Sequence, residues 1–218
     1  KINGINTSIL EIEGVDELKS AEINTISDRI EAGTLLIAAA ITKSKIKIKN
    51  TNYLHLYSVL SKLEDAGNKI TIDKNSIEID AEKNIPKSID VTTGVFPGFP
   101  TDMQAQWIAY MSIADGVSTI TDTIYLDRFT HVPELVRLGA DINVKDNSAI
   151  VKGVKKLIGA KVMSTDLRAS ASLVLAGLAA EGTTEVLRVY HLDRGYERLE
   201  EKLQHLGADI ERVSGTEY

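Results

Sequence analysis

Residues 165–170 read Thr165-Asp166-Leu167-Arg168-Ala169-Ser170, and this short stretch recurs in altered form at two earlier places in the chain. The earlier copies are Ser27-Asp28-Arg29-Ile30-Glu31-Ala32 and Thr101-Asp102-Met103-Gln104-Ala105-Gln106. Each copy runs into alanine-rich apolar sequence, and Asp, Ser and Thr accept hydrogen bonds from the free backbone N–H groups at a helix start. The pattern therefore predicts three copies of one structural unit, each containing a helix that begins at such a stretch.

A second helix in each unit is predicted from apolar spacing followed by a glycine. Leu199, Leu203 and Leu206 stand at the spacing of one helix face. The glycines that follow such segments are Gly67, Gly139 and Gly207. Residues 46–48 and 119–124 alternate or carry β-branched side chains, which favours strands. Together these features predict a repeated β-α-β-α-β-β unit and an α+β fold.

The repeat also suggests how the chain is divided. The predicted units cover residues 27–81, 101–157 and 165–215. Residues 8–18 have the same form as residues 148–157, which close the second unit, so we assign residues 1–26 to the tail of a preceding domain and a crossover. The third unit shows no closing strand after Val213. We expect the chain to be part of a larger protein whose N-terminal part supplies this strand. Residues 1–18 are another candidate for it.

Composition excludes several classes of function. The chain has 218 residues, a net charge of −6 and no cysteine, which argues against broad nucleic-acid or anionic-membrane binding and excludes a thiolate metal site in these residues. The longest apolar run, residues 34–41, is far shorter than a membrane span, so we expect a cytoplasmic protein. His131 and His191 have no second ligand at metal spacing, so no metal site is expected.

The aspartates at the helix starts differ in the roles they could have. Asp28 with Glu31 three residues later forms a predicted capping box, which explains that aspartate without a function. Thr101 and Gln104 form a similar predicted box, which would leave Asp102 free in the first turn. A free carboxylate at a helix start is a candidate functional group. The positive end of the helix favours its ionised form, so a role as a base needs further tuning.

Arginines near these helix starts are candidates for binding an anion. If the repeats pack around a pseudo-threefold axis, equivalent helix N-termini point to one region and attract phosphate or carboxylate. Arg128, Arg168 and Arg194 would suit such a ligand, although each could equally be a surface ion-pair partner.

Four longer motifs of the chain, taken together, resemble those of a known family. They are Phe99-Pro100-Thr101-Asp102-Met103-Gln104-Ala105-Gln106, Arg128-Phe129-Thr130-His131-Val132-Pro133-Glu134-Leu135, Thr165-Asp166-Leu167-Arg168-Ala169-Ser170-Ala171-Ser172-Leu173-Val174-Leu175-Ala176-Gly177 and His191-Leu192-Asp193-Arg194-Gly195-Tyr196-Glu197. The family that they resemble is the UDP-N-acetylglucosamine 1-carboxyvinyltransferase family of enolpyruvyl transferases. The shikimate-pathway relative lacks the last motif in this form. The resemblance implies an enzyme of two domains, each an inside-out α/β prism around a pseudo-threefold axis, with the active site between them and this chain as nearly all of one domain.

The resemblance also implies roles for particular residues. Asp102 would be the general base beside the reacting hydroxyl of the sugar, and the backbone of Ile124 would contact the UDP-sugar. Arg168 and Arg194 would lie on the phosphoenolpyruvate side, with Arg194 closing on the substrate. Arg128 would lie nearby, and Asp166 would lie near the reacting centre.

The activity implied is transfer of enolpyruvate from phosphoenolpyruvate to the 3′-hydroxyl of UDP-N-acetylglucosamine, with no cofactor. A Lys-Asn pair and a loop with Cys or Asp, both used by such enzymes, have no counterpart here, so we expect them in the N-terminal half of the same protein and expect this chain to be inactive alone. Two alternatives remain at this point: a non-catalytic UDP-sugar-binding module, and the shikimate-pathway enolpyruvyl transferase.

Overall fold

The first repeat packs two helices against a three-stranded sheet. The computed structural model describes residues 1–5, 7 and 9–214. The elements of this repeat are α1 (Arg29–Ile41), β3 (Lys45–Lys49), α2 (Tyr57–Asp65), β4 (Lys69–Asp73) and β5 (Ser76–Asp80), which follow two short strands, β1 (Ile2–Asn3) and β2 (Glu11–Ile12). Its sheet is antiparallel with the order β3-β5-β4. Asp28 is confirmed as the N-cap, since Oδ1 accepts from the backbone N of Ile30 at 2.7 Å and of Glu31 at 3.2 Å.

The second repeat adds a leading strand and a four-stranded sheet. Its elements are β6 (Val91–Thr92), a 3₁₀ turn (Thr101–Met103), α3 (Gln104–Met111), β7 (Val117–Thr121), α4 (Val132–Arg137), β8 (Asp141–Lys145) and β9 (Ser148–Lys152). The strand order is β6-β7-β9-β8, and only the β6–β7 pair is parallel. A strand is predicted over residues 119–124, and β7 confirms that a strand lies there but ends three residues earlier than predicted. It stops at Thr121 because the Asp122 carboxylate accepts from the backbone N of Ile124 and Tyr125 and turns the chain.

The predicted Thr101–Gln104 capping box is also wrong. Neither the 3₁₀ turn nor α3 has a side-chain N-cap. The Thr101 hydroxyl donates instead to Asp122 Oδ2 at 2.7 Å. The Gln104 amide is buried without a hydrogen-bond partner among the residues described. The Thr101 hydroxyl thus donates to a distant acceptor instead of accepting from the local backbone N–H that the sequence suggested.

The third repeat is the least regular. Its elements are β10 (Leu157–Ile158), β11 (Lys161–Met163), α5 (Leu167–Ala179), β12 (Ala180–Glu181), β13 (Glu185–Leu187), a 3₁₀ segment (Val189–Arg194) and α6 (Leu199–His205). The strands form two parallel pairs, β10 with β12 and β11 with β13. Residues 207–214 contain no strand, so the strand that the repeated unit predicts directly after Gly207 is absent there, and the predicted end of the repeat at residue 215 lies outside the described residues.

The glycine positions confirm where the second helices end. Gly67, Gly139 and Gly207 directly follow the C-caps of α2, α4 and α6 and have φ of 97°, 92° and 95°. In this left-handed region a side chain would be strained, whereas glycine is not. The three repeats therefore terminate their second helix in the same way.

The first helices of the repeats form the centre of the domain. α1, α3 and α5 pack against one another, and most of their residues are buried, including all of those in α3. Trp107, Leu36 and Leu173 are completely buried, and the sheets lie outside this helical core. A helix that is apolar on all sides requires such a central position. The arrangement confirms the predicted inside-out α/β prism.

Residues 1–26 stand apart from this core. β1 and β2 pair with each other in antiparallel fashion, and neither joins a strand of the third repeat, so the suggestion that residues 1–18 fill its closing position is wrong. Large apolar side chains here are exposed, including Ile9 and Leu18. The assignment of this segment to a preceding domain stays a prediction. None of the helices in the described part of the chain is long and apolar enough to cross a bilayer.

Candidate active site

The candidate site lies where the starts of two central helices meet. Asp102 sits in the 3₁₀ turn before α3, and Arg168 sits in the first turn of α5. The Asp102 Oδ2 accepts from Arg168 Nη2 at 3.0 Å, and Oδ1 accepts from Arg128 Nη1 at 2.7 Å. The Asp102 side chain keeps 36% of its surface exposed, whereas Arg168 keeps 14%. The carboxylate is thus held by two cations and still open to a ligand.

The two arginines determine the charge of this carboxylate. Burial acts to raise the pKa of Asp102, but hydrogen bonds and charge attraction from Arg168 and Arg128 outweigh it, so the pKa lies below its usual value. Asp102 is therefore ionised at neutral pH and is a weak base while both arginines hold it. Removing the arginines from the carboxylate would leave burial as the dominant influence and raise its pKa.

Each arginine has further partners that fix its orientation. Arg168 Nη1 donates to the Tyr196 hydroxyl at 3.3 Å, and its guanidinium carbon lies 5.7 Å from the centre of the Tyr196 ring. Arg128 Nη1 also donates to the Thr101 hydroxyl at 3.1 Å, and its guanidinium lies 5.7 Å from the centre of the Tyr125 ring. Both cations are therefore preorganised toward one opening beside Asp102.

Asp122 organises the loop that carries Arg128, and the sequence reasoning missed it. Its carboxylate is completely buried and accepts from four donors, which lie 2.7 to 2.9 Å away. The donors are the hydroxyls of Thr93 and Thr101 and the backbone N–H groups of Ile124 and Tyr125. Burial acts to raise the pKa of Asp122, but these hydrogen bonds lower it below its usual value. An Asp after a strand with two Thr side chains elsewhere is too common a pattern to be noticed in the sequence.

The other predicted residues occupy different positions around the opening. Asp166 is the N-cap of α5, accepting from the backbone N of Arg168 at 2.7 Å and of Ala169 at 3.0 Å, and it also accepts from Thr130. Ile124 is exposed in the loop after β7, and its N–H is taken by Asp122. The structure does not pair Arg194 with Asp102: its side chain is exposed and makes no hydrogen bond or ion pair within the described chain.

His131 is a buried titratable group on the edge of this site. Its side chain is 1% exposed, and Nε2 has no partner in the part of the chain that the structure describes. Burial lowers the pKa of His131 to about 4, against the opposing charge of Asp166 and together with the like charge of Arg128. The imidazole is therefore neutral at physiological pH. No group of three metal-ligating side chains was found among the described residues.

Comparison with proteins of known sequence places this chain in a family. The family model of EPSP synthase (3-phosphoshikimate 1-carboxyvinyltransferase) matches residues 1–203. Curated proteins named UDP-N-acetylglucosamine 1-carboxyvinyltransferase are similar to the chain: that of Ruthia magnifica subsp. Calyptogena magnifica is 57% identical over 98% of the chain, and that of Chloroherpeton thalassium is 57% identical over all of it. The chain spans about half the length of these relatives, 51% in both cases, and corresponds to their C-terminal half.

Solved structures agree with this fold. The enolpyruvyl transferase NikO from Streptomyces tendae superposes with a TM-score of 0.76 at 28% identity, covering 86% of this chain and 44% of that one. EPSP synthase from Acinetobacter baumannii gives a TM-score of 0.68 at 17% identity over 88% of this chain and 45% of that one, which supports the fold alone. Because the family model matches residues 1–203, most of this chain, the chain belongs to the EPSP synthase family of enolpyruvyl (carboxyvinyl) transferases.

Proposed function

We propose that this chain is the C-terminal half of an enzyme that transfers enolpyruvate from phosphoenolpyruvate to the 3′-hydroxyl of UDP-N-acetylglucosamine, with release of phosphate. The observation that carries the proposal is the Asp102 carboxylate held between Arg128 and Arg168 at one opening. The similarity to proteins named for this reaction, at 57% identity, supports the choice of sugar acceptor. No cofactor is required, and the other half of the protein is the partner.

The proposed reaction needs a base and a cationic site together. Asp102 takes the proton of the 3′-hydroxyl while the hydroxyl oxygen of the sugar forms a bond to C2 of phosphoenolpyruvate. C3 of phosphoenolpyruvate receives a proton from a group on the other half of the protein. The tetrahedral adduct then loses phosphate from C2 and a proton from C3, which regenerates the double bond. Positioned acid–base groups and preorganised cations are what such an addition and elimination requires.

The arginines link substrate binding to the basicity of Asp102. Phosphoenolpyruvate carries a phosphate and a carboxylate, both of which suit the fork of donors on an arginine. When Arg168 and Arg128 turn from Asp102 to this anion, the carboxylate loses the contacts that lower its pKa and remains partly buried. Asp102 then becomes a stronger base at the moment the electrophile arrives. Arg194, exposed at the end of the 3₁₀ segment, is proposed to join the anion when the two halves close.

The remaining residues are proposed to support the acceptor side. Ile124 lies exposed in the loop held by Asp122, and its backbone is proposed to contact the UDP-sugar. Asp166, which caps α5 and accepts from Thr130, is proposed to lie near the reacting centre. The reaction would be the first committed step of peptidoglycan synthesis, serving cell-wall growth and division from the cytoplasm.

Phosphate release tests this proposal directly. We expect no release from phosphoenolpyruvate with this chain alone, and release that depends on UDP-N-acetylglucosamine once the separately produced N-terminal half is added. Asp102→Asn should lower the rate by about 10²- to 10⁴-fold. The matched control is Asp90→Asn, an exposed aspartate that accepts from the backbone N of Thr119 away from the site, and it should leave the rate unchanged.

Two other outcomes would replace the proposal. Association of the halves with UDP-N-acetylglucosamine binding and no turnover would indicate a non-catalytic UDP-sugar-binding module. Turnover with shikimate 3-phosphate in place of the UDP-sugar would indicate the shikimate-pathway enolpyruvyl transferase.

A further inference from the structure

A buried polar cluster joins all three repeats directly behind the candidate site. Its centre is the hydroxyl of Tyr196, whose side chain is 1% exposed. That oxygen lies 2.9 Å from Thr34 Oγ1 in α1, 3.2 Å from Gln106 Nε2 in α3 and 3.3 Å from Arg168 Nη1 in α5. One side chain from each central helix thus meets the same phenol.

Two donors determine the role of the phenol oxygen in this cluster. Gln106 Nε2 and Arg168 Nη1 donate to the Tyr196 oxygen. With its acceptor positions filled in this way, the Tyr196 oxygen directs its proton to Thr34 Oγ1, which also receives Gln106 Nε2 at 3.1 Å. The phenol is fixed as an acceptor toward Arg168.

Arg168 is consequently held from two directions. Nη2 donates to Asp102 and Nη1 donates to Tyr196, so the planar guanidinium is tied at both ends of its fork. The guanidinium carbon of Arg168 also lies 5.7 Å from the centre of the Tyr196 ring, within the range of a cation–π contact. Without the phenol oxygen, Nη1 would lose its acceptor, and Arg168 could rotate away from the carboxylate.

We propose that Tyr196 is a positioning residue that holds the Arg168 guanidinium against Asp102. It does not reach the opening itself and acts through Arg168. The inference deepens the proposed function, because it rests on Asp102 as the reacting carboxylate. Its test uses no substrate, so a failure of this inference and a failure of the proposed function are distinguishable.

The test compares two buried tyrosines that each lose only a hydroxyl. Tyr196→Phe removes the acceptor of Arg168. Tyr110→Phe is the matched control, because Tyr110 is also completely buried and its hydroxyl accepts from Asn68 at 2.9 Å and Asn84 at 3.5 Å, with no contact to the arginines of the site. Both variants should lose stability in denaturant unfolding, since each leaves buried donors without an acceptor.

The carboxyl pKa of Asp102, measured by ¹³C NMR across a pH titration of this chain, distinguishes a positioning role of Tyr196 from a purely structural role. We expect Tyr196→Phe to raise it by about 0.5 to 1 unit, because Arg168 then spends less time on the carboxylate, and Tyr110→Phe to leave it unchanged. An Asp102 pKa in Tyr196→Phe that equals or falls below the wild-type value overturns the inference. If Tyr196→Phe does not fold, Thr34→Val replaces it, because it leaves the Tyr196 proton without its acceptor, so that the O–H bond turns toward a donor on the same oxygen and weakens the hold on Arg168; the same two outcomes then decide.

Discussion

Arg168 Nη2 donates to Asp102 Oδ2 at 3.0 Å, although the two residues begin the central helices of different repeats and lie 66 positions apart. The pair therefore forms only when the third repeat packs against the second. It places the cation that lowers the pKa of Asp102 inside the candidate anion site. Stability of the domain and basicity of its carboxylate are linked through this contact.

Substituting Arg168 should weaken binding of the anionic substrate. In Arg168→Lys a single ammonium cannot donate to both Asp102 and Tyr196 with the geometry of the fork. We expect the KM for phosphoenolpyruvate of the two reassembled halves to rise about 10- to 100-fold, the equivalent of one or two charge-assisted hydrogen bonds. Arg137→Lys is the control, since Arg137 is exposed and pairs with Glu134 on its own helix. Equal KM values in the two variants would contradict the role of Arg168.

Removing the Asp122 carboxylate should destabilise the domain strongly. Asp122→Ala leaves two hydroxyls and two backbone N–H groups without their acceptor, which we expect to cost about 2 to 4 kcal/mol of unfolding free energy. Asp90→Ala removes an exposed carboxylate that accepts one backbone N–H, and should cost under about 1 kcal/mol. Urea unfolding of both chains measures the difference, and a smaller loss for Asp122→Ala than for Asp90→Ala would refute this role of Asp122.

Stability should fall as the solution is acidified below neutrality because of His131. The unfolded chain takes up a proton on this imidazole near the ordinary pKa of 6.5, whereas the folded chain does so only near pH 4. His131 therefore contributes its full stability above pH 6.5, and that contribution is lost progressively from about pH 6.5 to 4, at most about 3 kcal/mol.

Denaturant midpoints of wild type and His131→Gln between pH 4 and 7 test this dependence. The variant should show a smaller loss over that range, because glutamine does not titrate. The exposed His205→Gln chain should keep the wild-type profile. A wild-type profile in His131→Gln as well would show that another group produces the acid sensitivity.

A close backbone approach makes Gly153 intolerant of a side chain. A Cβ at this position would lie 1.6 Å from the carbonyl oxygen of Ala114, so the end of β9 would have to move away from the turn after α3. We expect Gly153→Ala to lose about 3 kcal/mol or more of unfolding free energy. Gly14→Ala places its Cβ in open space and should be neutral, and comparable stability of the two variants would show that this segment yields easily.

Local features of the fold were predictable from the sequence. Asp28 and Asp166 cap their helices as expected, because an N-cap depends on backbone groups two and three residues away. The glycines that follow the second helices also mark the ends of these helices, because the end of a helix likewise depends on residues close by in the sequence. The resemblance of the four motifs to a known family predicted the inside-out α/β prism, which the buried central helices confirm.

Two of the errors arose where a distant group competed with a local one. Glu31 was expected to complete the Asp28 capping box, but its carboxylate pairs with Lys202 of α6. Thr101 was expected to cap α3, but it donates to Asp122, 21 positions away. A sequence contains both possible partners and does not show which of them comes within hydrogen-bond distance.

The sequence by itself determined the three repeats, the helix starts and ends, and the charged residues available to a site, because these depend on periodicity and on neighbours a few residues apart. Only the tertiary structure decided that Asp102 meets Arg128 and Arg168 while Arg194 stays exposed. Those pairs join residues 26 and 66 positions apart, and their distances follow from the way the start of α3 packs against α5 and against the loop after β7, which no local spacing encodes.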